Sequence, residues 1–297
     1  MEFETLRAFL AVADGSTVTE TAARTHRTQP AVSRALARLE RDMGTPLFQR
    51  VGRGLTLTPA GRELARHARE AVDSYERGVR SVQDITAPER GFVPVAFLHT
   101  LGTWLVPELI RRFRTTRPGV QFDLRQHGDA GLVDDLLGGV VDLAVTGDRP
   151  EHRQLESRRL FLEPLRLVVP PDHRLAGRRR VRLREAADDQ FIVLKPGFSL
   201  RTITEDLCAS AGFTPRIGFE GEEVETLRGL VAAGLGVALL PEQRGTVAAS
   251  APPSMRLTDV DASREIGLAW LRDRTLPPAS AEFRTHALRT SRQVYAQ

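Results

Sequence analysis

The sequence is poor in cysteine, in aromatic residues and in long apolar stretches, and these shortages exclude several classes of protein. Cys208 is the only cysteine among 297 residues, so the chain can form neither an internal disulfide nor a thiolate-rich metal site. It has no apolar run of the roughly 18 residues that a membrane span requires, and its first residues lack the basic and apolar segments of an export signal. We therefore expect a cytoplasmic protein that does not associate with membranes, with Cys208 as a small core residue.

Lysine is almost absent, and neither positive nor negative charges are in large excess. Lys195 is the only lysine among 42 basic residues, and the formal net charge is +4. This charge gives only weak general attraction to nucleic acid, so any DNA binding must depend on where the arginines are placed. Arginine suits that task because its planar guanidinium forms bidentate pairs with phosphate and guanine.

The segment Thr19–Thr58 predicts a helix-turn-helix followed by a β-wing, after a first helix that ends at Gly15. The second helix is expected to start at Thr19, and the third to start with Thr28 as N-cap and Pro30 in its first turn. Apolar residues at helical spacing predict one buried face of the third helix: Val32, Leu36 and Leu39. The other face is small or basic: Ser33, Arg34, Ala37, Arg38 and Arg41. Such a face suits a major groove, where bases and phosphates offer hydrogen-bond acceptors.

A short hairpin and a long helix come next. Residues 47–57 have a hairpin pattern with Arg53 at its tip, and Thr58-Pro59 begins a helix predicted to reach Ala87. The helix carries an apolar stripe: Leu64, Ala68, Ala71, Val72, Tyr75, Val79 and Val82. We expect this stripe to pack against a second copy of the chain, and packing on the chain's own C-terminal domain is the alternative.

From Phe92 onward, strands alternate with helices, which predicts an α/β domain with largely parallel strands in two lobes around a cleft. The expected strands are 92–98, 120–125, 141–145, 191–194, 216–219 and 237–240, with a long extended segment at 160–170 that could cross between the lobes, and the expected helices are 101–115, 130–138, 200–211 and 224–233. The sequence thus predicts a DNA-binding domain at 1–58, a dimerisation helix at 59–87 and a ligand-binding domain at 88–297.

Several short motifs together resemble the LysR-type transcriptional regulators. They are Phe9-Leu10-Ala11-Val12-Ala13, Gln29-Pro30-Ala31-Val32-Ser33-Arg34, Leu39-Glu40, Pro46-Leu47-Phe48, Leu57-Thr58-Pro59-Ala60-Gly61 and Gly234-Leu235-Gly236-Val237-Ala238-Leu239-Leu240-Pro241. The resemblance covers essentially the whole chain. It implies a winged helix-turn-helix, a dimerising linker helix and a two-lobed α/β effector domain similar to periplasmic binding proteins. Thr21 and Thr25 depart from the family, which usually has Ala and Leu there, and we expect Thr25 either to loosen the second helix or to hydrogen-bond to its own backbone.

The resemblance also implies a function. Family members bind interrupted palindromes near promoters, usually as dimers of dimers, and a small metabolite in the cleft alters DNA bending or polymerase contact. We therefore expect a sequence-specific regulator whose partners are double-stranded promoter DNA, a small-molecule effector, other copies of the chain as a homodimer or homotetramer, and RNA polymerase. The residues expected to contact DNA are Thr28, Gln29, Pro30, Ser33, Arg34, Arg38 and Arg53.

Candidate effector-binding residues follow from the expected helix starts. In a parallel α/β lobe the strand ends and helix N-termini face the cleft, where free N–H groups favour an anionic or strongly polar ligand. The candidates are Thr100, Asp129, Thr146, Phe198 and Ser199. Helix capping or surface exposure is the simpler explanation for Asp129 and Glu222, and Lys195 is expected to be solvated, although it could pair with a ligand carboxylate.

Other classes of function fit the sequence less well. The seven histidines are scattered, without the spacing of a helical zinc site, and Gly234-Leu235-Gly236 precedes a strand, whereas a dinucleotide loop follows one. We predict no enzyme, cofactor or metal site. The main alternative is a solute-binding protein of a transport system, which would need an export signal and would have no use for a winged helix. A DNA-binding protein without a ligand response is the second alternative.

Overall fold

The structure, a computed structural model, describes residues 3–51, 54–86, 91–244 and 251–296. The chain divides into two compact units, residues 1–82 and 83–297. Within the described ranges, no helix combines the length and the apolar character needed to cross a membrane.

The first unit contains short helices, a hairpin and most of one long helix. Its elements are α1 (Phe3–Ala13), α2 (Val18–Arg24), α3 (Gln29–Met43), β1 (Phe48–Val51), β2 (Gly54–Leu57) and α4 (Pro59–Thr86). The start predicted for α2 is wrong, because Thr17 caps it. The Thr17 hydroxyl accepts from the Glu20 amide at 3.1 Å, and the Glu20 carboxylate accepts from the Thr17 amide at 2.7 Å. This reciprocal capping box fixes the turn between α1 and α2 and lowers the pKa of Glu20.

The apolar stripe on α4 is packed in its first half and exposed in its second half. Its first half packs into the core of the first unit: Leu64, Ala68 and Val72. The expectation that the whole stripe would face a second copy is therefore wrong for this half, because α1 lies within reach. Further along, Val79 and Val82 remain 40% and 62% exposed, and Tyr75, 4.3 Å from the Phe3 ring, is 56% exposed.

The second unit has two lobes joined by long strands. Its elements are β3 (Phe92–Leu98), α5 (Leu105–Thr116), β4 (Gln121–His127), α6 (Asp129–Leu137), β5 (Leu143–Thr146), β6 (Leu155–Val168), β7 (Arg180–Val181), β8 (Gln190–Leu194), α7 (Ser199–Ser210), β9 (Arg216–Gly221), α8 (Val224–Ala232), β10 (Ala238–Pro241), β11 (Ser254–Leu257), β12 (Ser263–Leu271) and α9 (Pro278–Tyr295). We call β3 to β5 with α5, α6 and α9 the first lobe, and β7 to β11 with α7 and α8 the second.

The sheet is mixed, so the prediction of largely parallel strands is only partly right. β3 is parallel to β4 and β5, and β8 is parallel to β9. β6 runs through both lobes: up to residue 164 it pairs antiparallel with β12, and over residues 165–168 it pairs antiparallel with β10 and β11. The sequence pattern missed this return through β12, which needs no crossover helix because the strands are antiparallel.

Each lobe has its own core. In the first lobe, α5, α6 and α9 cover the sheet around Leu105, Leu132 and Phe283, all almost fully buried. In the second lobe, apolar clusters lie around Phe191 and Ile192. The helix predicted from residue 101 starts only at Leu105, because residues 99–101 form a 3-10 turn after β3. This turn places Thr100 at the carboxyl end of the strand, between the lobes.

Candidate functional site

The third helix presents a polar face opposite a buried one, as its spacing predicts. Val32 and Leu39 are 0% and 2% exposed, whereas Ser33, Arg34 and Arg38 are exposed. Within the described residues, neither Arg34 nor Arg38 has an ion-pair partner. By contrast, other arginines of the first unit are paired within it, such as Arg7 with Glu76 and Arg69 with Asp14. The guanidinium groups of Arg34 and Arg38 are therefore available to an external acceptor.

The start of α3 is also open to an external acceptor. Thr28 holds the N-cap position, but its hydroxyl makes no capping hydrogen bond, and Pro30 lies in the first turn with Gln29 before it. All three residues are exposed, and the first turn has no acidic side chain. An uncapped helix start without negative charge favours an incoming anion such as a phosphate.

The wing is tied to α3 by Glu40, whose role the sequence did not indicate. Glu40 Oε1 accepts from the backbone amides of Leu47 at 2.8 Å and Phe48 at 3.1 Å, where β1 begins. At the same open end of the hairpin, the Thr58 hydroxyl donates to the Pro46 carbonyl at 2.8 Å. Arg53, predicted at the tip of the wing, lies outside the described residues.

Of the two threonines that depart from the family pattern, Thr21 lies in α2 and Thr25 lies directly after it. The Thr25 hydroxyl donates to the Thr21 carbonyl at 2.8 Å, which confirms the expected bond to its own backbone. Thr21 is fully buried. The helix continues to Arg24, so Thr25 acts at its end and does not interrupt it.

A cleft lies between the two lobes of the second unit. It encloses about 320 Å³ of empty space, part of which is open to solvent. Its lining residues are Leu98, His99, Thr100, Asp129, Leu194, Phe198, Ser199, Leu200, Glu222, Val224 and Arg264. Four of the five predicted effector residues are among them. Thr146 is not: it is buried at the end of β5, and its hydroxyl has no hydrogen-bond partner among the described residues.

A buried ion pair that the sequence did not reveal forms the floor of the cleft. Arg264 on β12 and Glu163 on β6 are 3% and 2% exposed, and Arg264 Nε donates to Glu163 Oε2 at 2.7 Å. Arg264 Nη2 also donates to the Thr100 hydroxyl at 2.9 Å. Two buried charges are tolerated only when paired and hydrogen-bonded, and the pair holds the guanidinium in one orientation.

Direct contacts join the two lobes across the cleft. Asp129, the first residue of α6, accepts from the Ser199 amide at the start of α7 at 2.9 Å, so it interacts with the opposite helix. Beside it, the Phe198 ring lies against Gly128, where an added Cβ would be 2.8 Å from the ring. The expectation that Asp129 caps its own helix is thus wrong, because α6 has no side-chain capping hydrogen bond and the carboxylate bonds to the start of α7 in the other lobe.

At the rim, Lys195 and Glu222 form an ion pair with Nζ and Oε1 2.6 Å apart. Hydrogen bonding to the ammonium lowers the pKa of Glu222, and the carboxylate raises the pKa of Lys195. Both side chains are more than half exposed, so the pair contributes little to stability. Lys195 is solvated as expected, and its charge is already balanced.

Comparison with known proteins relates both units to one family. The description "Bacterial regulatory helix-turn-helix protein, lysR family" matches residues 3–62, and "LysR substrate binding domain" matches residues 86–292. The chain is 38% identical to YybE, an uncharacterised HTH-type transcriptional regulator of Bacillus subtilis (strain 168), over 97% of this chain and 98% of that protein. It is 34% identical to GltC, a transcriptional dual regulator of the same organism, over 95% of each.

The fold is similar to that of full-length CbnR in a crystal structure with its target DNA. The TM-score is 0.80, with 24% sequence identity over 98% of this chain and 100% of the other. These similarities span the helix-turn-helix as well as the two-lobed unit. They favour a transcriptional regulator over the alternative of a solute-binding protein of a transport system.

Proposed function

Because the chain belongs to the LysR family of transcriptional regulators, we propose that α3 contacts operator DNA and that the interlobe cleft receives the effector controlling this binding. The observation that carries the first part is the exposed polar face of α3, with Arg34 and Arg38 free of ion pairs within the described residues. The protein acts where the operator is, in the cytoplasm, and its DNA-bound form acts on RNA polymerase.

The residues of α3 divide into two roles. Ser33, Arg34 and Arg38 project from the middle of the helix and contact base edges and flanking phosphates in the major groove. Thr28, Gln29 and Pro30 surround the helix start, where a phosphate accepts from the Gln29 amide. Arg53 at the wing contacts the phosphate backbone of the DNA beside the groove. Arg34 supplies sequence specificity because a guanidinium pairs with guanine in a bidentate way.

The exposed second half of the α4 stripe supports a homodimer. Tyr75, Val79 and Val82 lie on one side of the helix and form an exposed apolar row, which is typical of a contact surface. A second copy of α4 buries them and sets two α3 helices in successive major grooves on one face of the DNA. Two such dimers form the tetramer.

The cleft supports the effector half of the proposal. Thr100, Asp129, Phe198 and Ser199 lie around it, and two helix starts, those of α6 and α7, face it. These features favour a small anionic or strongly polar ligand. A ligand bound between two lobes changes their contacts, which alters how the dimer holds DNA.

Fluorescence anisotropy on DNA from upstream of the protein's own gene, compared with scrambled DNA at the same salt, tests the proposal. Arg34→Ala is expected to weaken binding to upstream DNA by about 1 to 3 kcal/mol and binding to scrambled DNA little. Arg66→Ala is the matched control, since Arg66 lies on α4 and pairs with Glu63. An equal loss on both DNAs would assign Arg34 to the phosphate backbone, and no preference for upstream DNA would contradict sequence-specific binding.

A further inference from the structure

Three arginines stand side by side on one face of the sheet that β6 forms with β11 and β7. Arg256 on β11 is paired directly with Arg166 on β6 and with Arg180 on β7. Residues paired in this way project from the same face of a sheet, and neighbouring strands lie about 4.8 Å apart. The three side chains therefore come from adjacent positions, and we call this set the arginine row.

Only one charge of the arginine row is balanced by an ion pair within the described residues. Arg166 Nη2 lies 3.2 Å from Glu242 Oε2. Arg180 and Arg256 are exposed, and neither has an ion-pair partner in the part of the chain that the structure describes. Like charges directly opposite each other destabilise neighbouring strands, so an anion bound to both guanidinium groups would stabilise the row.

Protection of a sheet edge explains only part of the arginine row. β7 is the last strand of its sheet, and charged side chains on such strands commonly prevent pairing with other chains. Arg180 fits this explanation because it lies on β7. Arg166 and Arg256 lie on strands with neighbours on both sides, so edge protection does not account for their placement.

A pocket adjoins the arginine row and is separate from the interlobe cleft. It encloses about 750 Å³ of empty space, part of which is open to solvent, and small-molecule sites commonly have this size. Arg166 and Arg256 line it together with Leu162, Asp261 and Tyr295. None of the described residues that line the cleft is among those that line this pocket.

The lining indicates what kind of molecule the pocket would hold. Two adjacent guanidinium groups favour a ligand with several negative charges close together, because guanidinium pairs with phosphate in a bidentate way. Leu162 is 48% exposed, so an apolar or aromatic part of the ligand would bury its surface. The Asp261 carboxylate can accept a hydrogen bond from a hydroxyl or an amino group. A nucleoside diphosphate combines these three features.

We propose that this pocket is a second ligand site and that it binds a nucleoside diphosphate. The phosphoryl groups accept hydrogen bonds from Arg256 and Arg180, with Arg166 beside them. The nucleoside lies in the pocket against Leu162, and Asp261 accepts from a ribose hydroxyl or a base amino group. The proposal goes beyond the effector cleft, since it requires neither a ligand in the cleft nor a particular operator sequence.

Calorimetric titration of the full-length protein with ADP and GDP at low salt tests the proposal, with pyrophosphate and adenosine as partial ligands. A nucleoside diphosphate should bind most tightly, pyrophosphate more weakly and adenosine not measurably, because the charges supply most of the attraction. Arg256→Gln should weaken nucleotide binding about tenfold or more, the usual contribution of a hydrogen bond to a charged group. Arg216→Gln is the matched control, because Arg216 is also exposed on the second lobe but lies 3.7 Å from Asp188 in an ion pair.

Two further variants separate the two halves of the ligand. Arg180→Gln should weaken nucleotide and pyrophosphate binding by similar factors, because Arg180 contacts only the phosphoryl groups. Leu162→Ser should weaken nucleotide binding and leave pyrophosphate binding unchanged, because Leu162 contacts only the nucleoside. Both positions are exposed, so neither substitution disturbs a buried core.

Nucleotide binding that Arg256→Gln weakens and Arg216→Gln does not supports the proposal. No binding of ADP or GDP, or equal binding to the wild type and to Arg256→Gln, overturns it. Two competing roles would also overturn it and are recognised in the same proteins. Weaker binding of Arg256→Gln to scrambled DNA in fluorescence anisotropy, without nucleotide binding, would assign the arginine row to DNA phosphates. Self-association of Arg180→Gln without nucleotide binding would assign the row to protection of the sheet edge.

Discussion

Glu40 connects the proposed DNA-contacting helix to the wing through a single carboxylate oxygen, so replacing it should loosen the hairpin. The oxygen accepts from the amides of Leu47 and Phe48, and Leu47 is 1% exposed. In Glu40→Ala the Leu47 amide has no acceptor and is screened from water. Phe48 is half-buried, so water can partly replace its lost bond.

The expected magnitude follows from the type of bond. A hydrogen bond to a charged group contributes about 1.5–3 kcal/mol, and an amide left buried without a partner incurs a similar penalty. With one amide buried and the other partly hydrated, Glu40→Ala should destabilise the hairpin by about 3 kcal/mol. Glu40→Gln keeps an acceptor oxygen but not its charge, so it should destabilise the hairpin by about 1 kcal/mol.

Hydrogen exchange followed by mass spectrometry on the full chain measures this locally. Peptides covering residues 44–58 should exchange about a hundredfold faster in Glu40→Ala, since 1.4 kcal/mol corresponds to a factor of ten. Peptides from the second unit should be unchanged, and Glu70→Ala, which removes an exposed carboxylate of α4, should leave the hairpin protected. Unchanged exchange at 44–58 in Glu40→Ala, or equal acceleration in the Gln and Ala variants, would refute the assigned role of the charged oxygen.

Three further predictions concern the second unit. Burial raises the pKa of the Cys208 thiol to about 12, so iodoacetamide at pH 8 should label this thiol only after denaturation. Rapid labelling of the native protein would contradict the burial of Cys208. Burial lowers the pKa of His286 from its ordinary value of about 6.5. As the pH drops, His286 is therefore protonated in the unfolded chain before it is protonated in the folded one, and the free energy of unfolding falls below about pH 6.5. His286→Phe should flatten this part of the curve of melting temperature between pH 5 and 8, and an unchanged slope would assign it to other groups. Gly236→Ala would place a Cβ 2.4 Å from the Gln190 carbonyl oxygen and should destabilise the second unit by about 1–3 kcal/mol. Unfolding in guanidinium followed by tryptophan fluorescence measures this loss, because both tryptophans lie in the second unit. No loss of stability would mean that the backbone moves to make room for the Cβ.

Local patterns in the sequence predicted the elements whose stability is local. The buried face of α3 follows from the spacing of Val32, Leu36 and Leu39, and Thr58-Pro59 starts α4 where expected. The same patterns could not show which part of the α4 stripe is buried and which part is exposed. Its periodicity is the same before and after Val72, and only the position of α1 determines which part is covered.

Contacts between distant residues account for most of what the sequence did not reveal. Arg264 and Glu163 are 101 residues apart, and each stands in a segment whose charged residues suggest an exposed strand. A buried ion pair has no signature in either segment alone, because each charge is tolerated only through the other. The cleft floor therefore depends on the register of β12 against β6, which residue patterns do not determine.

Asp129 is a residue for which the local sequence pattern and the contacts between distant residues give different answers. An aspartate at the start of a predicted helix favours a capping role, but in a two-lobed domain helix starts from both lobes face the same cleft. The carboxylate can then accept from its own helix or from one 70 residues away, and the structure shows the second.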